Sequence, residues 1–342
     1  MQKNLKEAGK VIIGFIFVLG SFYYVLENVP LSQLSNSFAD VNFSYCFPTV
    51  ALLFFSYWAR AYRWKLLLLP FKSITTSEVY FTMMTGFLGN ALPLRAGDFL
   101  RAFILKGKHG ISLSGIFATI LMEWLLDIIL LLFLFTWAFN FHSEAFKFSF
   151  LETGISTQEM TTHFGRFCMI MTTGLTLFVY LFLQHKQLFL KLINWLSCWL
   201  PQKWNKNLEV QIDNFSLGFS SIKNYRILLQ VIFYSILEWL LTILSFIPLF
   251  LAYSFDTPSF DYLVILTVMI VIFTTALPTP GFIGSFNAGI YVVLHHFMDK
   301  PEVLAANFGI VAWILNFLVI LISGSYFIFK YRFSFKTIWK PE

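Results

Sequence analysis

Two carboxylates, Glu123 and Asp127, stand four residues apart in the otherwise apolar run Leu121-Met-Glu-Trp-Leu-Leu-Asp127. On a helix that spacing puts them on one face. A charge at the centre of a membrane helix costs about 2.5–3.5 kcal/mol on insertion scales, so the pair must look inward to a cavity, a partner or a proton. Their natural partners are Arg95 and Arg101, in Asn90-Ala-Leu-Pro-Leu-Arg95-Ala-Gly97-Asp98-Phe-Leu-Arg101, a Gly- and Pro-broken segment that also carries Asp98. Guanidinium groups offer a planar fork of donors to carboxylate or phosphate. An internal ion pair is the plain reading of these residues; a binding site for a charged group is the functional one. Arg60 and Arg63, in Arg60-Ala-Tyr-Arg63-Trp-Lys65, also read in two ways. They could snorkel to an interface beside Tyr62 and Trp64, or bind a headgroup phosphate. Glu238, in Leu237-Glu-Trp-Leu-Leu241, is a lone acid near the start of its apolar run, where it could reach water. A second break, Pro278-Thr-Pro280-Gly281-Phe-Ile-Gly284-Ser-Phe-Asn287, would supply an opposing half-site. His295 and His296 are adjacent, so on a helix they face different ways and suggest no metal site.

The elements that must position these residues are membrane helices. The chain of 342 residues is 58% hydrophobic and only 12% charged, half the charge of a soluble domain. Its apolar runs of about 16–25 residues are continuous rather than alternating, which favours helices over a β-barrel. Cys46, Cys168 and Cys198 have no paired spacing, so neither a disulfide framework nor a thiolate site is suggested. The net charge of +6 lies in the connections between apolar runs, a topological signal rather than a nucleic-acid surface. The basic start and the run from Val11 to Leu26 read as a retained first span.

The expected fold class is an all-α polytopic membrane protein: about six full spans plus two re-entrant broken-helix hairpins in an inverted repeat. The spans are placed at 11–27, 45–69, 115–139, 164–183, 228–253 and 303–329, and the broken regions at 76–105 and 262–298. With both termini cytoplasmic and both broken regions re-entrant, every Lys and Arg except Lys147, Arg166 and Lys300 falls on the cytoplasmic side, as the positive-inside bias requires. Residues 1–342 then form a single membrane domain, with a first half at 1–140 and a second at 164–330. Each half reads as a span, an amphipathic segment, a span, a hairpin and a span. The amphipathic segments carry Leu31, Leu34, Phe38 and Val41 in one half and Leu208, Ile212, Phe215, Phe219 and Ile222 in the other, spacing that suits an interfacial helix. Ala-Leu-Pro stands in both hairpins. The cytoplasmic connection 184–227 is amphipathic, basic and aromatic, suited to anchoring or to anionic headgroups. Broken segments at matching positions of two inverted halves point to a transporter's binding site.

At Arg60-x-x-Arg63-Trp64, Asn90-x-x-Pro93-x-Arg95-x-Gly97-Asp98-x-x-Arg101, Glu123-x3-Asp127 and Pro278-x-Pro280-Gly281-x-x-Gly284 the sequence resembles the flippase-like family of the lysylphosphatidylglycerol synthase transmembrane region, over nearly its whole length. The resemblance implies movement of a charged lipid between leaflets of the cytoplasmic membrane. It departs at two places: Phe282 stands where the family's pattern has a second Gly, and Asn287 where it has an acid. The synthase's soluble domain is absent from this sequence, so a separate enzyme would make the lipid. The expected function is a flippase or scramblase for a phospholipid or polyprenyl-linked lipid. Arg95 and Arg101 would take the phosphate, and Glu123 and Asp127 would balance charge or bind a cationic group. A transporter of a small polar solute, or an intramembrane lipid-modifying enzyme or accessory subunit, are the alternatives. No nucleotide loop, His-Glu-x-x-His motif or other cofactor site is visible, and homo-oligomerisation stays open.

Overall fold

The computed structural model describes residues 41–90, 97–141, 217–276 and 279–330, together with a few residues of 166–181 and with Asn214 and Phe215. Among them every regular element is helical. The expected spans at 11–27 and, for the most part, 164–183 lie outside the described residues, as do the segment 31–40, Leu208, Ile212 and most of the connection 184–227.

Helix α1 (Cys46–Leu68) follows a short 3-10 turn that Asn42 caps through its side chain. Helix α2 (Thr76–Gly89) starts at Thr75, whose hydroxyl accepts from the Glu78 N–H at 3.4 Å, the hydroxyl half of a capping box. The chain then breaks and resumes as α3 (Gly97–His109), followed by α4 (Leu113–Phe141). Asn224 caps α5 (Tyr225–Leu244), and a corner at Ser245 leads into α6 (Phe246–Ala252). Helix α7 (Phe260–Ala276), a second break, α8 (Ser285–Tyr291) with a π-helical extension to Phe297, and α9 (Glu302–Lys330) complete the described fold. Among the described residues three stretches are long and apolar enough to cross a membrane: Leu113–Trp137, Tyr225–Ala252 and Glu302–Tyr326. At 23 residues α1 has the length, but Arg60, Arg63 and Lys65 crowd its C-terminal half.

The two breaks fold their flanking helices back on themselves. Helices α2 and α3 pack together, and their far ends are joined where Glu78 pairs with Lys108 and, at 3.0 Å, with His109. At 14 and 13 residues each is about 20 Å long, too short to cross a hydrocarbon core of about 30 Å alone. Gly97 makes their approach possible, because a Cβ there would run into the Gly86 carbonyl and the Asn90 side chain. Gly289 does the same for the second pair, since a Cβ would sit 2.7 Å from Ile270 Cα in α7. The tips of the two breaks touch: the Gly281 N–H donates to the Asn90 carbonyl at 3.1 Å.

Helix α9 is the spine against which both pairs are set. Gly309 lies against Asn287 of α8, and Trp313 Nε1 donates to the Gly281 carbonyl at 2.8 Å. Further along, Ser323 bonds Tyr80 of α2 at 2.8 Å, and the Gly324 carbonyl accepts from Thr85. From residue 309 to 324 the helix rises about 22 Å. Two apolar cores result. One gathers α2, α3, the start of α4 and Ile310, Trp313, Phe317 and Ile320 of α9; the other gathers α6, α7, α8 and Phe308, Val311, Ala312 and Leu315. Phe219 and Ile222, read from sequence as interfacial, are buried in the first core.

Candidate functional site

The acids and arginines separated along the chain converge into one buried cluster. Helix α1 runs antiparallel to α5, with Ser56 against Thr242 and Arg63 against Ser235, and this register brings Arg60 and Arg63 beside Glu238. Glu123 and Asp127 enter from α4, and Asp98 and Arg101 from the first turns of α3.

Arg63 is wholly buried and grips Asp127 with both terminal nitrogens, Nη1 to Oδ1 at 2.6 Å and Nη2 to Oδ2 at 3.1 Å. Its Nη1 also donates to Ser235 Oγ at 3.2 Å. Arg60 bonds Asp127 through Nη2 at 3.0 Å and Glu238 through Nε. Arg101 bridges Glu123 and Asp98, each at 2.8 Å, and its guanidinium lies 4.5 Å over the Trp64 ring. Trp239 Nε1 donates to Asp127 at 3.0 Å. Glu123, Glu238 and Arg101 are 2–3% exposed, whereas the side chains of Arg60 and Asp98 keep 23% and 24%. Burial this deep is tolerable because each ion has a partner of opposite charge. Even so, the Arg63 and Arg101 Nε and one oxygen each of Glu123 and Glu238 lack hydrogen-bond partners.

A cavity of about 550 Å³ opens on this cluster. Arg60, Asp98, Arg101, Glu123 and Asp127 supply its charged lining, and Asn90, Phe87, Trp124, Ile128 and Phe282 are among its other lining residues. Trp124 and Ile128 are 50% and 46% exposed on the outside of α4, so the wall of the cavity runs out to the apolar surface of the chain. A second cavity, of about 220 Å³, adjoins it and shares Arg60, Phe87, Asn90, Trp239, Val271 and Phe282 as a common wall.

The model of the lysylphosphatidylglycerol synthase TM region family matches residues 11–324. The chain belongs to that family. It is therefore a membrane-embedded protein of a lipid-related family. No curated protein and no solved structure matches it.

Against the family resemblance read from sequence, the residues divide. Arg101 meets Glu123 as expected, but Asp127 is held by Arg60 and Arg63 instead. Neither of those two snorkels: Arg63 has no exposed surface at all, which overturns the anchoring reading. Glu238 does not reach water from a helix end; it lies 13 residues into α5, inside the cluster. Arg95 and Pro278 lie outside the described residues. Pro280 and Gly281 form the tight second turn, where Gly281 and Phe282 both have φ of 60° and Gly284 has φ of 81°. Asn287 stays apart from the charges, in α8 against Gly309, with its Oδ1 buried and unpartnered. Among the described residues no group of three or more His, Cys, Asp or Glu could hold a metal.

Sequence reading missed Trp239 as a ligand to Asp127 and Trp64 as the platform under Arg101. One signal was available: Glu-Trp-Leu-Leu occurs twice, at 123–126 and 238–241, and both glutamates enter the cluster.

Proposed function

We propose that the protein is a lipid flippase or scramblase, in which a charged headgroup occupies the larger cavity while its acyl chains stay in the bilayer. The observation that carries this reading is the wall of that cavity, which carries the ionic cluster and passes by Trp124 and Ile128 onto the apolar outside of α4. A solute transporter needs a chamber closed to lipid, and this lining favours the lipid. Arg60 and Asp98 are the ions with free surface toward a guest, so they make the first contact. Arg101, Glu123 and Asp127 set the field around it. The role is transport rather than catalysis, since each acid is held by a guanidinium and none is poised to exchange a proton with a substrate.

In this reading α2–α3 and α7–α8 are re-entrant hairpins of an inverted repeat, entering from opposite faces and meeting at Asn90 and Gly281. The 22 Å offset of their contacts along α9 supports it. Both termini are cytoplasmic, and the membrane is the cytoplasmic one.

The test is transbilayer movement of fluorescent lipids in vesicles reconstituted with the full chain. Movement faster than in protein-free vesicles, and slowed at least about tenfold by Arg60→Ala, is expected. Equal rates with and without protein, across anionic and polyprenyl-linked lipids, would sink the reading.

A further inference from the structure

We infer that the smaller cavity is a second binding station, which takes the uncharged, hydroxyl-bearing part of a headgroup whose charged part sits in the larger one. This deepens the transport reading above and rests on it. The smaller chamber differs from its neighbour in chemistry. Its two charges, Arg60 and Glu238, are paired with each other, so it presents no net charge to a guest. The Glu238 oxygen without a hydrogen bond is itself buried, 3.3 Å from the Arg63 guanidinium, so neither an anion nor an ammonium finds an uncompensated charge there. What it offers instead is hydroxyls, from Ser56, Tyr57, Thr242, Thr267 and Thr274, on three different helices.

Each of those hydroxyls has its one proton engaged within the protein. Thr267 and Thr274 donate to carbonyls one turn back in their own helices, at 2.9 and 2.7 Å, and of Ser56 and Thr242 one donates to the other while the second donates to the Glu238 carbonyl. Tyr57 donates to Asn316 Oδ1 at 2.8 Å. Their lone pairs are left to accept. The amides are complementary: Asn316 Oδ1 is taken by Tyr57 and Asn90 Oδ1 by the Gly97 N–H, which leaves both NH2 groups to donate. A neutral chamber with acceptors on one set of residues and donors on another matches an alcohol, which both gives and accepts. The rings of Phe87, Phe282 and Trp239 suit the carbon side of such a group.

The partition fixes how the two stations communicate. Arg60 is part of the common wall and is tied to Asp127 in the larger chamber and to Glu238 in the smaller. The touching tips, Asn90 and the Gly281–Phe282 turn, belong to the same wall. A headgroup passing from one half of the molecule to the other therefore crosses at Arg60.

The experiment is a binding competition read by native mass spectrometry on the full-length protein, between phosphatidylglycerol, which carries two hydroxyls, and phosphatidic acid with the same acyl chains, which carries only the phosphate. The wild type is expected to retain the hydroxyl-bearing lipid about tenfold more. Thr242→Val and Thr267→Val each remove a lining hydroxyl while keeping side-chain shape, and the retention ratio is expected to fall toward one in both. Either variant suffices if the other does not fold, and unfolding temperature in detergent shows which have folded. A wild-type ratio near one, or a ratio unchanged in the folded variants, overturns the second station. Vesicle transport with the same two lipids separates the two ideas. If neither lipid crosses but the binding ratio falls in the variants, the chamber stands and the transport reading fails.

Discussion

Arg63 has its two terminal nitrogens on Asp127 and no exposed surface, so truncating it strips a buried carboxylate of its two-pronged partner and leaves it only Arg60 and Trp239. Removing one partner of a buried pair costs about 3–5 kcal/mol, and Arg63→Ala is expected to lower stability in detergent by that order. Arg63→Lys keeps the charge but not the two-pronged contact, so its loss should be intermediate. Thermal unfolding of both variants checks this; an Arg63→Ala protein as stable as the wild type would contradict the ion-pair geometry. That Glu123 and Asp127 face inward was legible in their spacing and surroundings. Their partners were only half legible. Arg101 sits near Glu123 in the chain, but Arg63 meets Asp127 across 64 positions and Ser235 across 172, a register set by how α1 packs on α5 and α4. The two arginines also stand beside Tyr62, Trp64 and Lys65, a composition that mimics an interfacial anchor until the fold buries it.

At the scale of elements, the second break carries a backbone that its sequence does not suit. Phe282 has φ of 60°, a region that bulky side chains enter only under strain of about 1–3 kcal/mol, yet its ring helps form the wall between the two chambers. Phe282→Ala should lose the ring and keep the strain. Phe282→Gly loses the ring as well but relieves the strain, and should be more stable than the alanine variant by about 1 kcal/mol. Equal unfolding temperatures for the two would argue against a left-handed residue there. The breaks were visible in sequence as Gly and Pro, whereas the contact between their tips was not, because a backbone hydrogen bond such as Gly281 to Asn90 leaves no mark on residue type. The first hairpin has its own pH dependence. Glu78, at its open end and outside the spanning helices, has a carboxyl that partial burial raises but that Lys108 and His109 pull down further, to below its ordinary range. A depressed acid stabilises the fold above its unfolded pKa of about 4.3, and that contribution is lost as pH falls through the folded value. Acid should therefore loosen α2 from α3, and Glu78→Gln should remove this part of the acid sensitivity, as read by hydrogen exchange of the two helices. Identical acid profiles in the two proteins would exclude the pairing.

Over the whole molecule, what matters is that two folded-back helix pairs share one long helix. Neither α2 nor α3 is long enough to cross a bilayer alone, and the ends far from their break are held together at Glu78 and Lys108, which supports the proposal that the pair leaves on the side where it enters. The second pair meets α9 near Gly309 and the first near Gly324, while their tips touch beside Trp313. In the proposed re-entrant arrangement, two pairs approaching one spanning helix from its two ends, tip to tip, would have their open ends on opposite faces of the membrane. A cysteine at Lys106, exposed near the end of α3, and one at Val303, 69% exposed at the start of α9, should then be labelled from opposite sides by a reagent that cannot cross. On the positive-inside bias, position 106 is expected on the cytoplasmic side. Right-side-out vesicles should label Val303→Cys and spare Lys106→Cys, and inverted vesicles should do the reverse. Labelling of both from one side would make one hairpin a full crossing, move the basic end of α3 across the membrane, and leave the two chambers without the opposed entrances that passage of a headgroup requires.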